Sequence, residues 1–167
     1  MHNVNADYDE VLNTYFTNYF GAGATKMRNF FDKVVARCEE IEANYAGLGR
    51  GIYDEIENTS GFLGMGGTKY WTKTWLEECV SLCDEAKAAI DADTKLTDAQ
   101  KTAFKNRITK ESLFPRYVLC TSFANSYSST NKKAMRSAFK ADATALGLTL
   151  YREANGALSD LYSDWGI

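Results

Sequence analysis

Any chemistry in this chain has to come from a few groups of residues. The glycine-dense stretch Gly61-Phe62-Leu63-Gly64-Met65-Gly66-Gly67-Thr68-Lys69 invites comparison with a phosphate loop, in which backbone N–H groups wrap the phosphates and a lysine reaches over them. The spacing fails. Gly67 stands where the lysine is needed, and the polar Glu57-Asn58-Thr59-Ser60 precedes where a buried strand is required. A dinucleotide fingerprint would need a βαβ setting, which the surrounding pattern lacks. Cys79 and Cys83 lie one helical turn apart and could in principle supply two metal ligands. The only histidine is the terminal His2, however, and Trp75, Leu76, Leu82, Ala86 and Ile90 give the two thiols an apolar setting, so they read as small core side chains. The position of His2 also removes the base that a Ser or Cys triad needs. Asp54, Glu55 and Glu57 beside Tyr53 could line a sugar cleft as paired carboxylates, but among 22 acids such a cluster arises by chance. Tyr53, Phe62, Tyr70 and Trp71 are the aromatics that helical stripes account for least. Flat aromatic faces stack on sugar rings and on partners, so these four are the candidate ligand or partner surface. The competing arrangement folds them back over the ends of the second and third helices. No catalytic residue, metal-ligand set or cofactor signature is read from the chain.

The elements that must position these residues are helical. Val11, Leu12, Tyr15, Phe16, Tyr19 and Phe20 fall on one half of a helical wheel, and Asn13, Thr14, Thr17 and Asn18 on the other. Downstream, Met27, Phe30, Phe31, Val34, Val35, Cys38, Ile41 and Tyr45 make a second stripe, with Gly21-Ala22-Gly23 as the corner between the two. Each large side chain is worth roughly 1.5–3 kcal/mol if fully buried, so both faces are expected in the core. Asp7 or Asp9 should cap the first helix, which runs to about Phe20, and the second should reach about Tyr45. Ala46 to Thr72 reads as a long glycine-rich loop between helices two and three. A third helix covers about Thr72 to Asp91. Thr97-Asp98-Ala99-Gln100 has capping-box form and opens a fourth, kinked at Pro115 and ending near Tyr127. Ser128 to Asn131 caps a fifth helix, Gly147 closes it, and a short extended segment leads to a last helical turn or two from about Ala157. The fold class is all-α, a single-domain bundle of about five helices over residues 1–167.

Composition agrees with a globular domain: 167 residues, 45% hydrophobic and 25% charged. With a net charge of −3 and bases scattered among acids, there is no electrostatic footprint for nucleic acid. No apolar run approaches the roughly 18–20 residues that span a bilayer, and MHNVNADYDE lacks the parts of a signal peptide. Four cysteines are too sparse for a disulfide scaffold in a chain of this length.

Phe16, Tyr19, Phe20, Gly21 and Ala24, with Gly23 where alanine is usual, form one phrase, and Arg107, Ile108, Leu113 and Tyr117 form another. In this order the chain resembles the helical C-terminal region of a domain-of-unknown-function family in bacterial glycoside-hydrolase-like proteins, whose barrel is similar to that of α-glucuronidases. The resemblance implies a non-catalytic accessory module of a larger, secreted or surface protein. Its expected partners are the parent's catalytic barrel and a glycan, the catalytic carboxylates lie in that barrel, and this chain is an excised fragment. The alternative expectation is a free-standing helical domain that binds a protein or a small ligand.

Overall fold

The computed structural model describes residues 7–46, 70–152 and 156–167. It is an all-α bundle with one two-stranded ribbon. Helix α1 (Tyr8–Phe20) starts at Asp7, whose carboxylate accepts from the backbone N–H groups of Asp9 and Glu10. It ends at Gly21, and a single 3-10 turn (Gly21–Gly23) leads into α2 (Ala24–Ala46). The corner needs its glycines for two reasons. Gly21 has φ 55° and ψ −132°, a conformation that L side chains avoid. A Cβ on Gly23 would lie 3.1 Å from the Ala86 carbonyl oxygen and 3.2 Å from Ile108 Cδ1, so its absence lets the corner sit against two other helices. Arg107 closes the corner by donating to the Tyr19 carbonyl at 2.8 Å while lying over the Tyr19 ring.

Thr72 caps α3 (Lys73–Ala92), and the capping box of Thr97 and Gln100 opens α4 (Asp98–Thr121). Helices α1 to α4 close a ring in which each packs on the next and α4 returns to α1. Inside it lie Phe16, Phe20, Met27, Phe30, Leu76, Ile90 and Ile108, with Cys79, Cys83 and Ala86 as the small residues that let α3 approach. Pro115 is buried inside α4, which continues through it. The helix ends at Thr121, earlier than the Tyr127 expected from hydrophobic spacing. There the Thr121 hydroxyl donates back to the Tyr117 and Val118 carbonyls, and a separate 3-10 turn (Ala124–Ser126) follows.

Ser128 caps α5 (Ser129–Ala145), which packs on α4. Gly147, at φ 70°, closes α5, with the Leu148 N–H bonded to the Ala143 carbonyl at 3.0 Å. Strands β1 (Leu150–Arg152) and β2 (Gly156–Ala157) pair antiparallel and lead into α6 (Leu158–Trp165). Phe139, Leu158, Leu161 and Trp165 form a second, smaller core. Arg136 ties it together by donating to the carbonyls of Cys120 and Trp165.

The two aromatic stripes are not buried evenly. Phe16, Phe20, Met27 and Phe30 are core residues, whereas Tyr8, Val11, Tyr15, Phe31 and Val35 are all exposed, from 36% for Phe31 to 69% for Tyr8, and Cys38 faces solvent. Ring closure uses only one side of each stripe. The described helices leave the other side uncovered.

Candidate functional site

Tyr53, Phe62, the acids Asp54, Glu55 and Glu57, and the glycine stretch 61–69 lie outside the described residues. Tyr70 and Trp71 are described, and both turn inward. Tyr70 is 5% exposed and packs with Ile41. Trp71 is half-buried, edge-on to Trp75 at 5.0 Å and to Phe114 at 5.2 Å, where it covers the start of α3. Lys33 and Arg37 flank the Trp75 ring, each 5.5 Å from its centroid, so the aromatic face is already occupied by cations of the same chain. Cys79 and Cys83 are fully buried, and desolvation pushes both thiols up to about 12. In that state they are inert packing groups.

The uncovered stripe forms a different surface. Between α1, α2 and α4 runs a groove of about 170 Å3. Its floor is Phe16, Phe20, Met27 and Phe30, and its walls are Leu12, Tyr15, Phe31 and, from α4, Glu111. Phe16 holds the two helices together there, stacked on Phe20 and 5.6 Å from Phe31. Tyr8, Val11 and Val35 extend the apolar surface beyond the groove by helical spacing: Tyr8, Val11, Leu12 and Tyr15 follow i, i+3, i+4, i+7, and Val35 follows Phe31 by four. The far side of α1 is instead a polar concavity along Asp9, Asn13 and Thr17. The expectation of a fully buried aromatic face concealed this surface. Its one sequence signal is that α1 carries more apolar side chains than a single neighbour can cover.

A second groove, of about 260 Å3, lies between α4, α5 and the β1 strand, lined by Leu113, Tyr117, Phe139 and Tyr151 with Phe114 and Leu150 at its mouth. Among the described residues, Glu111 is the only carboxylate lining either groove. The two grooves suit apolar recognition.

Fold and site together define an all-α bundle with an uncovered apolar helix face. The family model that matches the chain is the GA module, over residues 84–113, which is under a fifth of its 167 residues. The match covers the second half of α3, the turn and most of α4, and it includes the capping box at Thr97. No curated protein and no solved structure matches. This finding corrects the resemblance to the helical region of glycoside-hydrolase-like proteins, because the family matched is a different one. The residues that carried the resemblance are packing residues: Phe16, Phe20 and Ile108 are buried in the main core, and Tyr19, Ala24 and Tyr117 pack against it. Such residues recur wherever helices pack closely. The barrel and glycan partners inferred from the resemblance lose their support with it. Among the described residues no helix is long and apolar enough to cross a membrane.

Proposed function

We propose that this chain is a helical protein-binding module whose partner sits on the α1–α2 face. The uncovered stripe carries the reading. Tyr8, Val11, Tyr15, Phe31 and Val35 cluster on one face, and contiguous exposed apolar surface of this kind marks interaction sites in soluble proteins. The match over residues 84–113 supports the same class, since GA modules are small albumin-binding three-helix bundles. In this chain the matched helices are the inner half of a larger ring, with Ala86, Ile90 and Ile108 covered by the rest of the bundle. Their inward side is therefore occupied, and among the described residues the α1–α2 face, with five exposed large apolar side chains against two at the α4–α5 groove, is the larger apolar surface open to a partner.

Serum albumin is the first partner to test, by biolayer interferometry on the whole chain, followed by an interaction screen. Binding that is abolished in a Val11→Asp, Tyr15→Asp double variant supports the reading. Both positions are about half exposed, so the double variant should remain folded. A partner that binds wild type and the double variant equally would move the site elsewhere. Failure of albumin and of every screened protein to bind would remove the reading.

A further inference from the structure

Resting on that protein-binding reading, we infer that the partner presents a basic amphipathic helix, laid along the groove between α1, α2 and α4 with its cations over the carboxylates at the rim. The shape of the groove is one part of the argument. Apolar side chains at i, i+3, i+4 and i+7 on α1, facing Phe31 and Val35 on α2, form the ridge-and-groove surface into which another helix packs. The 13 residues of α1 give this surface a length of about 20 Å, enough for three to four turns of a partner helix.

Charge is the other part. Helix α1 contains no Lys or Arg. Every base in α2 is already engaged by a carboxylate of the chain: Lys26 by Glu85, Arg28 by Asp9 and Asp32, Lys33 by Glu78, and Arg37 by Glu40. Of the acids outside these ion pairs, Asp7 and Glu10 line the polar concavity on the far side of α1, and three lie at the edges of the apolar surface. Glu39 and Glu42 follow Val35 at i+4 and i+7 on the same face of α2, both exposed, and Glu111 stands on the α4 wall. Two bases of α4 lie near Glu111: Arg107, one turn earlier, is held down on the Tyr19 ring and the Tyr19 carbonyl, and Lys110 is turned about 100° away by the helical pitch, so Glu39, Glu42 and Glu111 still outnumber the one cation beside the face. A second copy of this chain would set this acidic rim against its own, which disfavours self-association through the face.

The test uses labelled peptides of about five helical turns with one leucine-rich face, flanked either by lysines or by glutamates, titrated with the whole chain by fluorescence anisotropy. The lysine-flanked peptide should bind about tenfold more tightly than the glutamate-flanked one, and its affinity should fall as salt is raised from about 0.05 to about 0.3 M. A Glu39→Lys, Glu42→Lys, Glu111→Lys variant, all exposed positions, should reverse the preference. Equal binding of the two peptides, binding of neither, or an unchanged preference in the triple variant overturns the inference. So does a dimer in light scattering that Val11→Asp with Tyr15→Asp dissolves, since that assigns the face to a second copy. A protein partner that is lost in the Val11→Asp, Tyr15→Asp variant but indifferent to the charge-reversed triple overturns the basic helix and leaves the protein-binding reading standing.

Discussion

Replacing Gly21 by Ala tests the helix corner on which the whole ring depends. At φ 55° and ψ −132° the residue occupies a region that costs an L side chain about 1–3 kcal/mol. The new methyl would also lie 2.9 Å from the Phe104 ring, which is held against the core and beside the Arg107 guanidinium. Displacing such a ring adds an overpacking penalty of about 1–3 kcal/mol. The expected loss is therefore about 4 kcal/mol in urea melts followed by far-UV circular dichroism. Gly147 is the internal control. It also has positive φ, but nothing lies within 4 Å of its missing Cβ, so Gly147→Ala should show backbone strain alone, about 1–2 kcal/mol. Repeating Gly21→Ala in a Phe104→Ala background should recover about 1–3 kcal/mol of the penalty, because the ring that the methyl strikes is gone. If Gly21→Ala costs no more than Gly147→Ala, or costs the same in both backgrounds, the close approach of corner and ring is not what the fold depends on.

Phe16→Ala should cost about 3–5 kcal/mol, whereas Phe31→Ala, at 36% exposure on the groove lip, should cost about 1–2 kcal/mol; equal losses in denaturant would mean that the lip is covered in solution. The two thiols of α3 predict a pH dependence. Their folded values are raised to about 12 from 9.0, so above pH 9 the unfolded chain sheds thiol protons that the native state keeps, and stability falls as pH rises toward 12. The slope is at most about 1.4 kcal/mol per thiol per pH unit, and Cys83→Ala should reduce it in melts compared at pH 8 and pH 10. Arg136→Lys should loosen the C-terminal core by about 2–3 kcal/mol, since lysine cannot span the Cys120 and Trp165 carbonyls as the guanidinium fork does; unchanged Trp165 fluorescence in mild urea would argue against that role.

Most of the helix ends were legible because the signals are local. Asp7, Thr97 and Ser128 bond to N–H groups two or three residues away, and Gly147 supplies a backbone conformation, so each needs only its neighbours. The end of α4 was misread for a related reason: Tyr117, Cys120, Ala124 and Tyr127 keep helical spacing across a break made by the Thr121 hydroxyl and the turn after it. Side chains can stay on one face while the backbone changes from one helix type to another. The candidate site was hidden in a different way. A helical wheel tells apolar from polar sides but not which apolar sides find a neighbour, and Tyr15 and Phe16 are adjacent residues with opposite fates. Tyr70 and Trp71 show the reverse, since nothing in their local sequence indicates that Ile41 and Phe114 are waiting to cover them.

The two cores meet within a single turn of α4. Val118 and Leu119 belong to the α1–α4 ring and the next residue, Cys120, to the cluster around Trp165, while Tyr117 and Met135 touch both. The ring is closed without α5 or α6, so the two cores share α4 as a common spine, and hydrogen exchange is expected to show them opening as separate units. Opening of the C-terminal core would leave the α1–α2 face built, because none of the residues lining that groove lies on α5 or α6. Coupling between them runs through residues 117–120 of α4 and through Met135 of α5.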